Sequence, residues 1–302
     1  MPKLNDYADM LRKKYPDSEA EVGGKFPIEH IPSGSLWLNW ILGGGIPKGK
    51  ISMFYGQPAS GKTAAALQMC NSVGQAALLD LEGSFSTEWA QKWINNLDNV
   101  VVFRALSGEA NVDAICDMAS RGIELIVVDS IPSIVPLSEL EGKNEMAAQA
   151  RLVNKLIRRL TSIINQSGTT ILFINQIRMK VGVVYGSPET LPGGRAVPYI
   201  ASAIVKFRKA AWVEEKGEKK GIEVRVTCEK NKFSVPYREG HYNLMWDGRV
   251  DKEEEYARML LQTGEARQAG AYYYIKPTGA DEELRFHGSE EYTEYIREHY
   301  VK

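Results

Sequence analysis

The sequence predicts an α/β protein in which a mostly parallel central sheet is flanked by helices. Three observations lead there. An apolar run, Lys50 to Tyr55, opens into Gly56-Gln57-Pro58-Ala59-Ser60-Gly61-Lys62-Thr63, which fills every fixed position of the GxxxxGK[ST] phosphate loop. Further apolar runs then alternate with amphipathic segments, the order expected of parallel strands wrapped by helices. Three of those runs close on polar groups, at Glu82, Asp129 and Gln176.

The elements follow in order. The first 33 residues hold one short helix, Asn5 to Lys14, and an irregular arm through Pro27 and Pro32. An arm without a core of its own is expected to dock on something else. After the first strand and the phosphate loop, Thr63 to Ser72 reads as a helix. Strands are expected at Ala76 to Glu82, Asn99 to Ala105, Leu125 to Ser130 and Thr169 to Gln176. Between them Thr87 to Leu97, Glu109 to Gly122 and Glu145 to Gln166 carry apolar residues at helical spacing. Ala203 to Ala210 and Ile222 to Lys232, separated by the charged turn Glu214 to Gly221, read as a hairpin extending the sheet. From Asp251 the composition changes, and a small α/β unit is expected. The chain therefore divides into an N-terminal helix and arm over 1–33, a core over 34–249 and a small C-terminal domain over 250–302.

With 302 residues, 44% hydrophobic and 25% charged, the chain has the makings of one main domain and a smaller one. No apolar run reaches about 18 residues and the N-terminus lacks a signal-peptide core, so a cytoplasmic protein with no membrane partner is expected. Cys70, Cys116 and Cys228 lie far apart in apolar periodic segments and read as reduced core residues. His30, His241, His287 and His299 show no ligand spacing, which argues against zinc. The net charge of −1 is uneven: Val250 to Lys302 carries 7 basic and 12 acidic residues, the remainder 30 and 26. An acidic tail thus follows a mildly basic body. Solvated surfaces explain that pattern, and so does a nucleic-acid binder whose tail competes for its basic site.

The phosphate loop has its spacing for a chemical reason. Its glycines let backbone N–H groups turn toward phosphate oxygens, Lys62 reaches the β and γ phosphates, and the Thr63 hydroxyl ligates Mg²⁺. ATP and Mg²⁺ are the cofactors this implies. Asp129, at the end of an apolar strand, is suited to stand beside the Mg²⁺ hydration shell. Glu82 ends another strand and is the candidate base that orients attacking water. Gln176 ends a third, where its amide can bond the γ-phosphate and respond when it leaves.

In this order, Ser33-Gly34-Ser35-Leu36, Leu42 to Gly49, the phosphate loop, Asp80-Leu81-Glu82, Val127 to Ser130 and Asn175-Gln176-Ile177-Arg178-Met179-Lys180-Val181-Gly182 resemble the bacterial RecA recombinases. Gly186 to Thr190 and Gly193-Gly194 add to the match, which runs from about Ser33 to Gly248. The resemblance implies a RecA-type ATPase core, a catalytic role for Glu82, and Gln176 as the link between γ-phosphate and DNA. It implies that Ile177 to Arg195 is a loop that orders on single-stranded DNA, with Arg178, Lys180, Arg195 and the backbone of Gly193 and Gly194 on phosphates. A cationic, glycine-rich loop with one aromatic, Tyr185, suits a strand that must not be read by sequence. Glu139 to Glu145 is similar in position to the family's other DNA-facing loop, but shorter. Arg151, Asn154 and Arg158 follow at i, i+3 and i+7, one helix face, as further DNA contacts or as plain solvated charges.

Lys230 and Lys232 look like the family's lysine pair that reaches a neighbouring subunit's ATP, which would put ATP between protomers of a helical filament. Trp89 and Trp246 lie where an aromatic would meet adenine, with core packing as the alternative. Pro198-Tyr199 replaces the family's usual Lys-Phe pair. The partners implied are single-stranded DNA, double-stranded DNA, further copies of the chain, and a recombination mediator or single-strand-binding protein. The sequence leaves open a bacterial protein, associated with the nucleoid, and a bacteriophage or mobile-element version in host cytoplasm, toward which the shortened C-terminal segment leans. The expected function is ATP-dependent homologous pairing and strand exchange. A ring-forming translocase or helicase, and a non-catalytic ATP- and DNA-binding regulator, share parts of the same residue set.

Overall fold

Helix α1 (Leu4–Lys14) opens the chain, with Asp6 in its first turn and Arg12, Lys13 and Lys14 in its last, each sign matched to the helix dipole. A computed structural model describes residues 4–16, 20–24, 26–143, 147–179, 189–280 and 282–300. Strand β1 (His30–Ile31) comes next and pairs antiparallel with β2 (Ile46–Pro47) around helix α2 (Leu36–Leu42). His30 and Ile31, within the expected arm, are therefore paired with their own chain. Ser35 caps α2 by accepting the Leu38 N–H, and Gly43 ends it in the left-handed conformation.

The central layer then builds in sequence: β3 (Ile51–Gly56), α3 (Lys62–Met69), β4 (Ala76–Asp80), α4 (Thr87–Ala90), β5 (Val100–Phe103), α5 (Gly108–Ser120), β6 (Leu125–Asp129), α6 (Leu137–Leu140), α7 (Ala148–Ser167) and β7 (Thr170–Gln176). The short strands β8 (Arg178–Met179) and β9 (Glu189–Thr190) pair antiparallel. Helix α8 (Ala196–Ile200) leads to β10 (Ala203–Glu215), β11 (Glu218–Asn231) and β12 (Glu239–Met245). The main sheet has eight strands in the order β12-β11-β10-β3-β7-β6-β4-β5. From β10 to β5 all pairs are parallel, and β10-β11-β12 form an antiparallel extension.

Strands β3, β4 and β6 are buried along their whole length, as their unbroken apolar runs require when both sheet faces are covered. One core, around Leu38, Phe54, Leu67 and Phe207, packs α2 and α3 on one face. The other, around Met53, Val128, Leu156 and Phe173, packs α5, α7 and α8 on the opposite face. The edge strand β5 differs, leaving Val101 and Val102 exposed.

Several boundaries depart from expectation. The helix expected over Thr87 to Leu97 is one turn, α4. The Asn71 carboxamide takes the Asn95 N–H and Asn96 takes the Asp98 N–H, so side-chain bonds displace the helical ladder. The strand expected to reach Glu82 stops at Asp80, whose carboxylate accepts the N–H groups of Ser84 and Phe85 and turns the chain. The hairpin is longer than its apolar runs suggest. Its turn is the pair Lys216-Gly217, both at positive φ, the geometry that suits strand twist. Strand β12 adds an antiparallel edge beyond the hairpin, a strand that the sequence pattern does not mark.

After the sheet, α9 (Lys252–Thr263), β13 (Ala266–Ala269), β14 (Tyr272–Ile275), β15 (Leu284–His287) and α10 (Gly288–His299) make a three-stranded antiparallel sheet backed by two helices. Their own core is Ala257, Leu260, Ala266, Ile275, Tyr292 and Ile296. Glu255 of α9 fastens this unit to α2. Its carboxylate accepts from Ser35 Oγ at 2.5 Å and from the Leu36 N–H at 2.7 Å. Among the described residues no helix is long and apolar enough to cross a membrane. All three cysteines are free and buried.

Candidate active site

Strand β3 delivers the phosphate loop to the C-terminal edge of the sheet, and α3 continues from it. Gly56 must be glycine, because a Cβ there would stand 2.1 Å from the Phe207 carbonyl oxygen. Gly61 precedes α3 at φ 89° and offers no side-chain cap, so the first N–H groups of α3 keep their positive end for an anion. Lys62 lies back across the loop and donates to the carbonyls of Gly56 (3.3 Å) and Gln57 (2.7 Å) and to Ser60 Oγ (3.3 Å). Burial pushes its pKa down, opposed by Asp129 and Glu82. Gln57, Pro58 and Ala59 form the exposed rim of the loop.

Strand β6 brings Asp129 against this loop. Thr63 Oγ1 donates to Asp129 Oδ2 at 2.6 Å. Burial raises the Asp129 carboxyl to about 6, although the Thr63 bond pulls the other way. Two oxygen donors at one point suit a hard cation such as Mg²⁺. No group of three or more His, Cys, Asp or Glu suited to a metal occurs among the described residues.

Glu82 stands just beyond β4. Gln176 Nε2, from the end of β7, donates to Glu82 Oε1 at 2.5 Å, and Ser130 Oγ, just after β6, donates to the same oxygen at 2.5 Å. Three strand ends thus meet on one carboxylate. The turn that carries Glu82 is braced by Asp80, which receives Arg104 Nε at 2.6 Å while Arg104 also donates to the Phe85 carbonyl at 3.0 Å.

Beside the loop is a cavity of about 510 Å³, lined by Ala59 to Ala64, Trp89, Trp93, Ile222, Leu244 and Trp246. Trp89 and Trp246 have ring centres 6.5 Å apart, Trp89 and Trp93 5.6 Å. Trp89 is 41% exposed, so it is not a core residue. Sequence reasoning missed Ser130 and Trp93. Ser130 adjoins Asp129 at the same strand end, and Trp93 falls four residues after Trp89, a helical spacing that carried the only available signal.

A chain with this phosphate loop and this set of strand-end groups invites comparison with known proteins. The family model of the RecA N-terminal domain matches residues 18–251. The chain belongs to the RecA family. It is 37% identical to Protein RecA of Streptomyces ambofaciens over 259 residues, 82% of this chain and 69% of that protein. It is 34% identical to Protein RecA of Mesomycoplasma hyopneumoniae (strain 7448) over 278 residues, 88% and 82% of the two chains. Protein RecA of Tropheryma whipplei (strain Twist) is 38% identical over 256 residues, 82% and 58%.

The residues this RecA-family chain was expected to use on DNA fall in two neighbouring places. Arg151, Asn154 and Arg158 are exposed along α7 while Leu152, Val153, Leu156 and Ile157 are buried. Gly194 lies against Ala150, one residue from Arg151, and Gly193 against Ile131. Arg178 and Arg195 are exposed. Lys180 and Tyr185 lie outside the described residues, as do Asn144 and Glu145 of the shorter loop, where α6 forms one turn.

Lys230 and Lys232 are not near this chain's own phosphate loop. Lys230 Nζ donates to the carbonyls of Pro198 (3.0 Å) and Tyr199 (2.7 Å), and Lys232 Nζ to Ile200 (3.4 Å), at the C-terminal end of α8. The Lys232 N–H bonds Ser202, whose own N–H bonds Ile51. That level is five residues up β3 from Gly56, roughly 16 Å at strand rise.

Proposed function

We propose that this chain is an ATP-dependent DNA recombinase that polymerises on single-stranded DNA and exchanges it with a homologous duplex. The observation that carries the reading is the Gln176–Glu82 hydrogen bond of 2.5 Å. It joins the strand that runs into the cationic loop to the carboxylate beside the phosphate loop, so occupancy of one site is felt at the other. Lys62 is the cation for the β and γ phosphates, and Glu82 orients the attacking water. Thr63 and Asp129 are the residues to hold Mg²⁺, which supplies charge neutralisation on the transferring phosphoryl group. Trp89 and Trp246 flank the nucleobase.

Arg151, Asn154, Arg158, Arg178, Lys180 and Arg195, with the backbone of Gly193 and Gly194, contact phosphates of the strand. Such contacts hold without reading sequence, and base pairing supplies the specificity. Lys230 and Lys232 are too far from their own loop to serve it, which supports action on a neighbouring copy's nucleotide. An interface that does not close on itself produces a filament. The exposed Leu4, Tyr7 and Met10 of α1 and the open edge of β5 are surfaces fit for such contacts. We assign residues 1–33 to assembly, 34–249 to the ATPase core and 250–302 to a C-terminal domain, in a protein of the cytoplasm aided by a mediator or single-strand-binding protein.

The test is strand exchange with a matched and a scrambled duplex, ATP and Mg²⁺ present. Product only from the matched duplex is expected. Equal product from both, or directional unwinding by closed rings, would overturn the reading.

A further inference from the structure

We propose that the ion pair between Lys206 of β10 and Glu189 of β9 is a second coupling contact, which holds β9, the exit strand of the 177–195 loop, against β10, the neighbour of the strand that carries the phosphate loop. The proposal rests on the reading of that loop as the DNA-responsive segment and adds to it a positioning pair distinct from Gln176.

The start of the loop is fastened to Gly56 and its exit strand to Lys206, which is paired in register with Tyr55, the residue before Gly56. At its start, the Ile177 N–H bonds the Gly56 carbonyl at 3.2 Å, the carbonyl that also receives Lys62 Nζ. At its exit, Glu189 Oε2 accepts from Lys206 Nζ at 2.6 Å. Lys206 is the register partner of Tyr55 in the parallel pair of β10 and β3, and its ammonium stands 5.9 Å from the Tyr55 ring centre. Tyr55 immediately precedes Gly56. Its hydroxyl bonds Glu229, the extra residue of the bulge in β11, and burial together with the carboxylates of Glu229 and Glu189 pushes its pKa up, so it stays a neutral donor. Strands β8 and β9 tie start and exit together, with Arg178 opposite Thr190 and Met179 opposite Glu189.

Displacing the exit strand therefore pulls on Lys206 and, through it, on the residue before the phosphate loop. The pair is suited to that task because it is sheltered: the two side chains are 28% and 35% exposed, where salt screens less than on open surface. It also sits on the α7 and α8 face of the sheet, opposite the face that holds α3, so β3 itself is the connection between loop and nucleotide.

The experiment compares the full chain, Lys206→Met, and the exchanged pair Lys206→Glu with Glu189→Lys. ATP turnover is measured without DNA and across a titration of single-stranded oligo-dT, with oligo-dT affinity read by anisotropy. Expected for Lys206→Met is a DNA-free rate and an oligo-dT affinity within threefold of the parent, but a DNA-stimulated kcat at least fivefold lower. The exchanged pair should recover most of that loss. Unchanged stimulation in Lys206→Met overturns the proposal. So does a parallel fall in the DNA-free rate, or an exchanged pair no better than Lys206→Met, since either marks a merely structural contact. If the parent shows no stimulation by oligo-dT, the recombinase reading itself falls, and that outcome is seen before any variant is compared.

Discussion

Replacing Glu255 with Gln will flatten the pH dependence of stability. Glu255 is 2% exposed, and its burial raises its carboxyl from 4.5 to about 8, against the opposing pull of its bonds from Ser35 and the Leu36 N–H. A carboxyl raised on folding favours the folded state at low pH, and that contribution is lost as pH climbs from the unfolded value through about 8. Between pH 6 and pH 8 the unfolded chain has already released this proton while the folded chain still holds most of it. Integrating the difference gives about 2 kcal/mol less stability at pH 8 than at pH 6. The other titrating groups act alike in parent and variant, so subtracting the two isolates Glu255. Gln, which like the neutral carboxyl offers one accepting and one donating group, should remove the slope. Urea unfolding at both pH values is the assay. The same pH 6 to pH 8 decline in parent and variant would refute the reasoning.

Lys62→Ala should abolish nucleotide-dependent DNA binding, whereas Glu82→Gln should slow turnover about 10²-fold or more yet keep ATP-dependent filaments in electron micrographs. Gly193→Ala puts a Cβ 2.3 Å from Ile131 Cγ2 at φ 83°, so it should cost about 1–3 kcal/mol in thermal unfolding, and a parent-like Tm would contradict the packing described. Arg151→Ala and Arg158→Ala should each reduce the log–log salt slope of oligo-dT binding by about 1, which anisotropy at several salt concentrations will read. Because the Asp129 carboxyl is raised to about 6, its ionised fraction falls as pH drops through that value, and the Mg²⁺ concentration for half-maximal turnover should rise between pH 7.5 and pH 5.5.

Much of this was legible in the residues because it is local. The phosphate loop is eight consecutive positions whose glycines answer to backbone geometry, and the apolar runs of β3, β4, β6 and β7 are buried on both faces, so each announces itself without its neighbours. Helix ends were less legible. The period from Thr87 to Leu97 does point Trp93 and Ile94 at the core, but Asn71, Asn95 and Asn96 end the helix through bonds that no hydrophobic pattern encodes. The hairpin shows the same limit from the other side: its outer residues are charged and exposed, so the run looked short where the backbone ladder continues.

The amino-acid sequence by itself marked the phosphate-loop motif and the apolar runs that become β3, β4, β6 and β7, since these rest on neighbours within a turn or a strand. Only the tertiary structure decided that Ser130 and Gln176 share one oxygen of Glu82, that Trp93 joins Trp89 and Trp246, that Lys230 and Lys232 bond the carbonyls at the end of α8, and that Lys206 grips Glu189. The physical reason is strand order. With β7 between β3 and β6, and β10 on the other flank of β3, groups far apart in the chain are brought to one edge, and that order is set by packing the whole sheet rather than by any single segment.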